Sequence, residues 1–331
     1  RPGIEAVLSH ANVYRLEEEP QSEAEHPQNV LNKEVTISDL VFMIGPRINA
    51  AGRLEKASDS VRLLIADKKE HADKLASSIN DLNVRRREFD NKITEEALAM
   101  IEQNERLRNA KSTVIFNENW HKGVIGIVAS RLTDSYYRPT IVLTRSNNLI
   151  TGSARSIKNF DIYDAIDNCS DLLEHFGGHK YAAGLSLKPE NLEEFSRRFE
   201  EYVANNIDKE ELIPELNVDL EIDFSDITPK FVRVLKQFAP FGPGNMAPVF
   251  LSRNVVDTGL SRSVGNKKHL KLTITQRHNP TLVLAGIAFQ KGDDYLRVHS
   301  KEPFSICYCI EKNFWQGKTN LQLNVKDIKF E

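Results

Sequence analysis

Residues 68–108 run for 41 positions with neither proline nor glycine, and few arrangements of a chain accommodate such a segment. Leu75, Ile79, Leu82, Phe89, Ile93, Ala97 and Ile101 recur at steps of three, four or seven, which places them on one narrow stripe of a helix. At about 1.5 Å per residue that helix is expected to run roughly 60 Å, longer than a domain is wide. A helix of such length with so thin a stripe joins two domains or enters a coiled coil. Arg85, Arg86 and Arg87 at its middle read as a solvated face. The 331 residues of the chain exceed one ordinary core and predict two or three domains.

The net charge of −3 is unevenly spread, with 13 acidic side chains against 3 basic ones over 189–228 and 13 Lys/Arg against 7 Asp/Glu over 252–331. A basic C-terminal segment behind an acidic one points to a polyanion met by the end of the chain. With 27% charged residues and no apolar run of membrane-spanning length, the composition is that of a soluble globular protein. No signal-peptide pattern is present, and a start at Arg1 without methionine is expected of a piece of something longer. Cys169, Cys307 and Cys309 form no CxxC pair, which predicts a reducing cytoplasm and no zinc site.

Ahead of the long helix we expect a short helix at 4–13, a polar, acidic loop at 17–27 and an apolar run at 37–44. Behind it, 113–116 and 140–144 read as buried strands, with a helix opening near Trp120-His121-Lys122-Gly123-Val124-Ile125-Gly126 and ending at about 136. His121 there has a structural reading. A strand end at 151–156, a helix at 163–173, a strand at 185–187 and a helix at 192–205 follow. The last segment changes character: a strand at 216–224, a short helix at 230–237, the turn cluster Pro240-Phe241-Gly242-Pro243-Gly244-Asn245, then period-2 runs at 249–260, 269–275, 281–288, 304–311 and 319–328. Five short strands with tight turns predict a small barrel such as an OB-fold. Lys267, Lys268 and Lys271 with Phe314 and Trp315 would give it positive charge and stacking faces for single-stranded nucleic acid; a structural β-domain with two core aromatics is the other reading.

Three stretches carry glycine or small residues beside potential phosphate ligands. Phe176-Gly177-Gly178-His179-Lys180-Tyr181-Ala182-Ala183-Gly184 suits a turn whose N–H groups face an anion, with His179 projecting into it, or a plain tight helix–strand connection. Gly45-Pro46-Arg47-Ile48-Asn49-Ala50-Ala51-Gly52-Arg53 sets Arg47, Asn49 and Arg53 among small neighbours, where a phosphate can come close, or is a loop with solvated arginines. Gly152-Ser153-Ala154-Arg155-Ser156 places an arginine between two hydroxyls.

In chain order, Gly45–Arg53, Trp120–Gly126, Gly152–Ser156, Gly177–Gly184 and Pro240-Phe241-Gly242, these motifs resemble the RecJ family of the DHH phosphoesterase superfamily over essentially the whole chain. The Gly-Gly-His…Ala-Ala-Gly pattern alone would indicate only a DHHA1 domain. The resemblance implies a single-strand-specific 5′-to-3′ DNA exonuclease of DNA repair and recombination, and an α/β DHHA1 domain plus β-barrel (OB-fold) domain preceded by a long interdomain helix. The boundaries it implies are 1–66, tail of an α/β DHH domain; 67–110, connecting helix; 111–208, DHHA1; and 209–331, OB-fold-like domain.

The family holds two Mn²⁺ or Mg²⁺ ions on Asp and His residues of its DHH domain, whereas this sequence has no Asp-His-His. The chain is therefore expected to be a C-terminal part without metal ligands, inactive alone. Carried over by resemblance, His179 and Arg155 act at the scissile or terminal phosphate, and Arg47, Asn49, Arg53, Ser153, Gly177 and Gly178 bind phosphates. Single-stranded DNA is the expected partner, with a helicase and a single-strand-binding protein as further candidates and no membrane. Two other readings stay open: a DHH-type phosphodiesterase of short oligonucleotides or cyclic dinucleotides, which the β-rich tail disfavours, and a non-catalytic module that binds single strands or a partner.

Overall fold

Pro2, whose missing N–H is no loss in a first turn, opens helix α1 (Pro2–His10). It begins the first of two units into which the chain divides, Arg1–Pro214 and Glu215–Glu331. The computed structural model describes residues 1–11, 14–16, 29–31, 35, 37–242, 244–315 and 318–330, with backbone alone at 14–16, 29–31, 38, 313–315 and 318–319. The acidic loop expected at 17–27 lies outside the described residues. The first helix ends at His10, three residues short of expectation.

Strands β1 (Tyr14–Leu16) and β2 (Asn29–Leu31) pair antiparallel. Helix α2 (Ile37–Asp39) then passes through a π-helical turn at Leu40–Ile44 into α3 (Gly45–Leu54). The Gly45–Arg53 stretch is thus helical rather than a loop, because Pro46 falls in the first turn, where proline is pre-set for a helix. Helix α4 (Ser58–Ile65) follows.

The long segment forms α5 (Lys69–Gln103), 35 residues, about 52 Å long. It stops short of residue 108 because Asn104 takes an extended conformation and its Oδ1 accepts the N–H of Leu107 at 3.1 Å, starting a separate helix, α6 (Glu105–Asn109). The apolar stripe serves two cores in succession. Ile79 and Leu82 pack with Ala6, Val7, Ala50, Ala51 and Leu63 from α1, α3 and α4. Ile93, Ala97 and Ile101 pack with Trp120, Val128, Leu132 and Val142.

Beyond α6 come β3 (Thr113–Phe116), α7 (Ile125–Tyr136), β4 (Thr140–Ser146), β5 (Leu149–Arg155), α8 (Ile162–Asp167), β6 (Leu173–His179), β7 (Ala182–Leu187) and α9 (Leu192–Asn206). The strands form one sheet in the order β3-β4-β5-β7-β6, with only β3 and β4 parallel. Phe195, Phe199, Ile162 and Ile166 of α9 and α8 pack with Ile150, Ala154, Leu185 and Leu187 of the sheet. Asp161 caps α8 through the N–H of Tyr163 (2.9 Å), but this helix ends at Asp167 and a 3₁₀ turn at Ser170–Leu172 replaces the rest of the helix expected to 173. The glycine stretch is consequently neither an anion turn nor a helix–strand connection. It is a β-hairpin with Lys180 and Tyr181 at its tip.

In the second unit, β8 (Leu220–Glu221), α10 (Pro229–Gln237), β9 (Phe250–Asp257), β10 (Arg262–Val264), β11 (His269–Gln276), β12 (Asn279–Ala288), α11 (Tyr295–Val298), β13 (Phe304–Trp315) and β14 (Lys318–Phe330) follow in order. The strand expected over 216–224 shrinks to two residues, because Asp223 and Asp226 cap each other's backbone around the 3₁₀ turn Phe224–Asp226. Pairings β9–β11, β11–β12, β12–β14, β14–β13 and β13–β9 close a ring of five strands, with β12–β14 its parallel seam. Phe224, Phe250, Phe304, Leu272, Ile274 and Leu323 fill it. Tyr308 is also inside, its hydroxyl 2.8 Å from Ser252 Oγ and its pKa pushed up to about 12 by burial. Among the described residues no helix is long and apolar enough to cross a membrane.

Candidate phosphate-binding site

Strand alternation decides which side chains share a face, and here it gathers the motif residues. On β5, Ile150, Gly152 and Ala154 point into the core, so Thr151, Ser153 and Arg155 take the opposite face. Register then sets Ser153 beside Gly184 and Gly184 beside Gly177; in the next row Arg155 stands beside Ala182 and Ala182 beside His179. An arginine and a serine on β5 and a histidine on β6 thus surround a floor in which Gly184 and Gly177 are bare and Ala182 contributes only a methyl. Gly177, Gly184 and His179 are exposed, and Ser153 and Arg155 are half-buried.

The glycines do different work. A Cβ on Gly177 would meet nothing within 4 Å, and one on Gly184 only the Gly152 carbonyl at 3.9 Å. Packing requires glycine at neither; what they provide is an uncovered backbone that another molecule can approach. Gly178, opposite the buried Ala183, is different, since a Cβ there would lie 2.5 Å from Ala183 Cα. Its role is packing within the hairpin.

Arg155 is held from three sides. Its Nε donates to Ser130 Oγ (3.1 Å), and its Nη1 donates to Ser153 Oγ (3.0 Å) and to its neighbour's carbonyl, Ala154 O (2.7 Å). Gly126, in the first turn of α7, lets the helix come this close, since a Cβ there would stand 3.0 Å from Ser153 Oγ and 3.1 Å from Arg155 Nη2. Burial and then the charge of Arg53 press the Arg155 pKa downward. The guanidinium stays protonated regardless, so the shift marks a cation whose surroundings undercompensate it. His179 Nδ1 accepts the Tyr181 N–H at 3.3 Å, which leaves the neutral ring's proton on Nε2, a donor.

On α3, Asn49 and Arg53 lie four residues apart on one exposed helix face. Arg53 Nη1 donates to Gly123 O at 3.2 Å, and a Cβ on Gly123 would collide with the Arg53 carbonyl, so α3 ends directly against the loop leading into α7. Arg47 faces the other way. Its guanidinium donates to Asn80 Oδ1 (3.1 Å), Met43 O (2.7 Å) and His10 O (3.3 Å), tying α3 to α5 and to the end of α1. His121 has its expected local role: Nδ1 accepts the Gly123 N–H (3.1 Å), the ring stacks on Phe89, and burial, Lys122 and Arg85 lower its pKa.

Arg86 overturns its reading as part of a solvated face. Its side chain is 12% exposed and sits 3.6 Å from Asp90, itself 1% exposed, whose Oδ2 accepts from Arg131 of α7 at 2.8 Å. Sequence reasoning missed Asp90, Ser130 and Arg131. A signal was present, since the apolar stripe lapses between Leu82 and Phe89 and Arg86 falls in that gap.

In the barrel, Lys267 and Lys268 occupy the turn between β10 and β11, and Lys271 on β11 pairs with Arg262 on β10. Phe314 and Trp315 end β13, opposite Thr319 and Lys318; their side chains lie outside the described residues. Phe289, which no sequence signal singles out, is 55% exposed, with His269 edge-on at 5.3 Å.

The DHHA1 domain model matches residues 109–205 and the RecJ OB domain model matches 218–327. The single-stranded-DNA-specific exonuclease RecJ of Bacillus subtilis (strain 168) is 36% identical over 288 residues, 86% of this chain and 36% of that protein. The same-named protein of Salmonella typhimurium is 31% identical over 335 residues, 99% of this chain and 54% of its own length. The crystal structure of RecJ in complex with Mn²⁺ from Thermus thermophilus aligns with a TM-score of 0.79 at 24% identity, over 100% of this chain and 44% of that one. Its Mg²⁺ counterpart aligns at 0.75 and 27%, over 89% and 44%. The chain thus spans about half the length of these relatives, or less.

Proposed function

The chain is the C-terminal region of a RecJ-family protein, a DHHA1 domain leading into a RecJ OB domain, and on that footing we propose that it serves a single-strand-specific 5′-to-3′ DNA exonuclease by gripping the strand. The observation that carries this reading is the grouping of Ser153, Arg155 and His179 around the bare Gly177–Gly184 floor. Arg155 Nη2, the guanidinium nitrogen that its contacts with Ser130, Ser153 and Ala154 leave over, and the Ser153 hydroxyl proton donate to oxygens of a 5′ phosphate. His179 Nε2–H donates to the same or the next phosphate and, when protonated, offsets charge that develops there. Arg53 and Asn49 supply further donors. Phosphate contacts position a strand without reading its bases, which fits an exonuclease indifferent to sequence. Lys267, Lys268 and Lys271, with Phe314 and Trp315, form the guiding surface on the barrel.

Two-metal phosphodiester hydrolysis requires convergent carboxylates and imidazoles. Among the described residues no three His, Cys, Asp or Glu side chains are grouped to hold a metal ion, so these residues do not fit one. We place the Mn²⁺ or Mg²⁺ ions in a DHH domain of which residues 1–66 form the tail.

Fluorescence anisotropy with otherwise identical 5′-phosphorylated and 5′-hydroxyl single strands tests the grip. Wild type should prefer the phosphorylated strand, Arg155→Ala should abolish that preference, and Lys268→Gln with Lys271→Gln should weaken both strands alike. A preference that survives Arg155→Ala would place the terminal phosphate elsewhere.

A further inference from the structure

We propose that the sheet face carrying Ser153, Arg155 and His179 continues into a second subsite, in which Ser186 and His175 take an internucleotide phosphate of the strand whose 5′ end Arg155 holds. The inference rests on the proposed grip at Ser153 and Arg155 and extends it along the nucleic-acid backbone.

Strand register brings the two residues together. Thr151 of β5 stands opposite Ser186 of β7, and Ser186 stands opposite His175 of the edge strand β6. Directly opposed residues share a face, with Cβ atoms about 4.5–5.5 Å apart. The row Thr151-Ser186-His175 therefore lies on the face of Ser153, Gly184 and Gly177, one row further on, while Ile150, Leu185 and Leu187 between these positions fill the core behind. His175 is exposed and Ser186 half-buried. Thr151 spends its hydroxyl proton on Leu185 O at 3.3 Å and so forms a wall rather than a donor. Among the described residues, no side chain or carbonyl engages the Ser186 hydroxyl or the His175 ring, which leaves an O–H and an imidazole N–H free to donate.

The surroundings favour an anion. Glu174 is the only acid on β5, β6 and β7, and Lys188 answers it at 3.6 Å. Edge strands are ordinarily guarded by charged side chains, lysine above all, yet the open face of β6 carries His175, Gly177 and His179. The register shifts at Glu174, immediately before His175, and a bulge of this kind on a sheet edge re-aims the side chain beside it.

Spacing fits a strand laid along the rows. Same-face residues of a β-strand are about 6–7 Å apart, and the nucleotide repeat of an extended single strand is of the same length. From the row of Arg155 to the row of Ser186 is two such steps. With the 5′ phosphate at Arg155, the second phosphate passes over bare Gly184 and Gly177, and the third reaches Ser186 and His175. Contacts of this kind fix the path of the strand without reading its bases.

The 331-residue chain carrying Lys267→Gln, Lys268→Gln and Lys271→Gln, which removes the barrel's contribution, is titrated calorimetrically with thymidylate dimers and hexamers, each with a 5′ phosphate and with a 5′ hydroxyl. His175→Ala and Ser186→Ala are then added singly. Each should weaken the hexamers several-fold, keep the 5′-phosphate preference, and leave the 5′-phosphorylated dimer unchanged, because that dimer ends before the third phosphate. On a hexamer whose linkages beyond the second phosphate are uncharged methylphosphonates, His175→Ala should match the parent. In a parent that prefers the 5′ phosphate, equal hexamer affinities with and without His175→Ala overturn the subsite, and so does an equal loss on dimer and hexamer. A loss that persists on the methylphosphonate strand overturns phosphate as the ligand. Absence of a 5′-phosphate preference in the parent, with the hexamer loss still present in His175→Ala, instead overturns the grip at Arg155 and leaves the subsite standing.

Discussion

Gly177 and Gly178 are adjacent and identical, yet the hairpin uses them in opposite ways. Gly178→Ala forces a methyl against Ala183 and the Ala182 carbonyl, and by the cost of overpacking should destabilise the first unit by about 1–3 kcal/mol, read from urea unfolding. Gly177→Ala adds its methyl to open space and should leave unfolding unchanged while weakening binding of the 5′-phosphorylated strand. Equal stability losses in the two variants would contradict the assignment of an open floor to Gly177. Asp90 offers a second contrast at this scale. Burial raises its pKa despite Arg131 and Arg86, which pull it down. The folded state therefore holds the proton more tightly than the unfolded one, and the associated stability is fully present below the ordinary aspartate range and lost as pH rises through the higher folded value. Relative to Asp90→Asn, wild type should gain stability between pH 7 and pH 4, as urea midpoints at the two pH values would show.

Helix α5 joins two apolar runs through one charged interval, and its energetics should divide accordingly. Ile79→Ala, in the core with α1, α3 and α4, and Ile101→Ala, in the core with α7, should each cost about 2–5 kcal/mol, whereas Val84→Ala, 45% exposed, should cost within about 0.5 kcal/mol. The periodicity that announces α5 was legible because a buried stripe needs steps of three and four. Its end was not, since the cap depends on Asn104 turning its side chain back onto Leu107. The Gly45–Arg53 stretch looked like a loop because two glycines and an asparagine disfavour a helix locally; proline in the first turn and the buried Ala50 and Ala51 outweigh them. In the glycine hairpin, the residue types marked a place of close approach, but the face they share with Ser153 and Arg155 appears only once strand register is known. The Arg86–Asp90 contact lay hidden in a charge cluster, because charged residues on a helix are ordinarily solvated and only the lapse in the stripe says otherwise.

Across the whole molecule, the two units each have their own hydrophobic clusters, and the second is a ring of strands with its own filling. A fragment of residues 215–331 should therefore unfold cooperatively in urea, with tyrosine fluorescence reporting loss of the buried Tyr308; a gradual transition would show that the ring depends on the first unit. The closure of that ring has a temporal side. Strand β14 supplies two of its five seams, one to β13 and the parallel one to β12, and it is the last strand of the ring to leave the ribosome. Until then β9, β11, β12 and β13 are an open sheet with Leu272, Ile274 and Phe304 uncovered. The nascent chain thus passes through an interval in which the barrel's interior is its exterior, and in that interval it is most exposed to chaperones and to its own neighbours on the polysome.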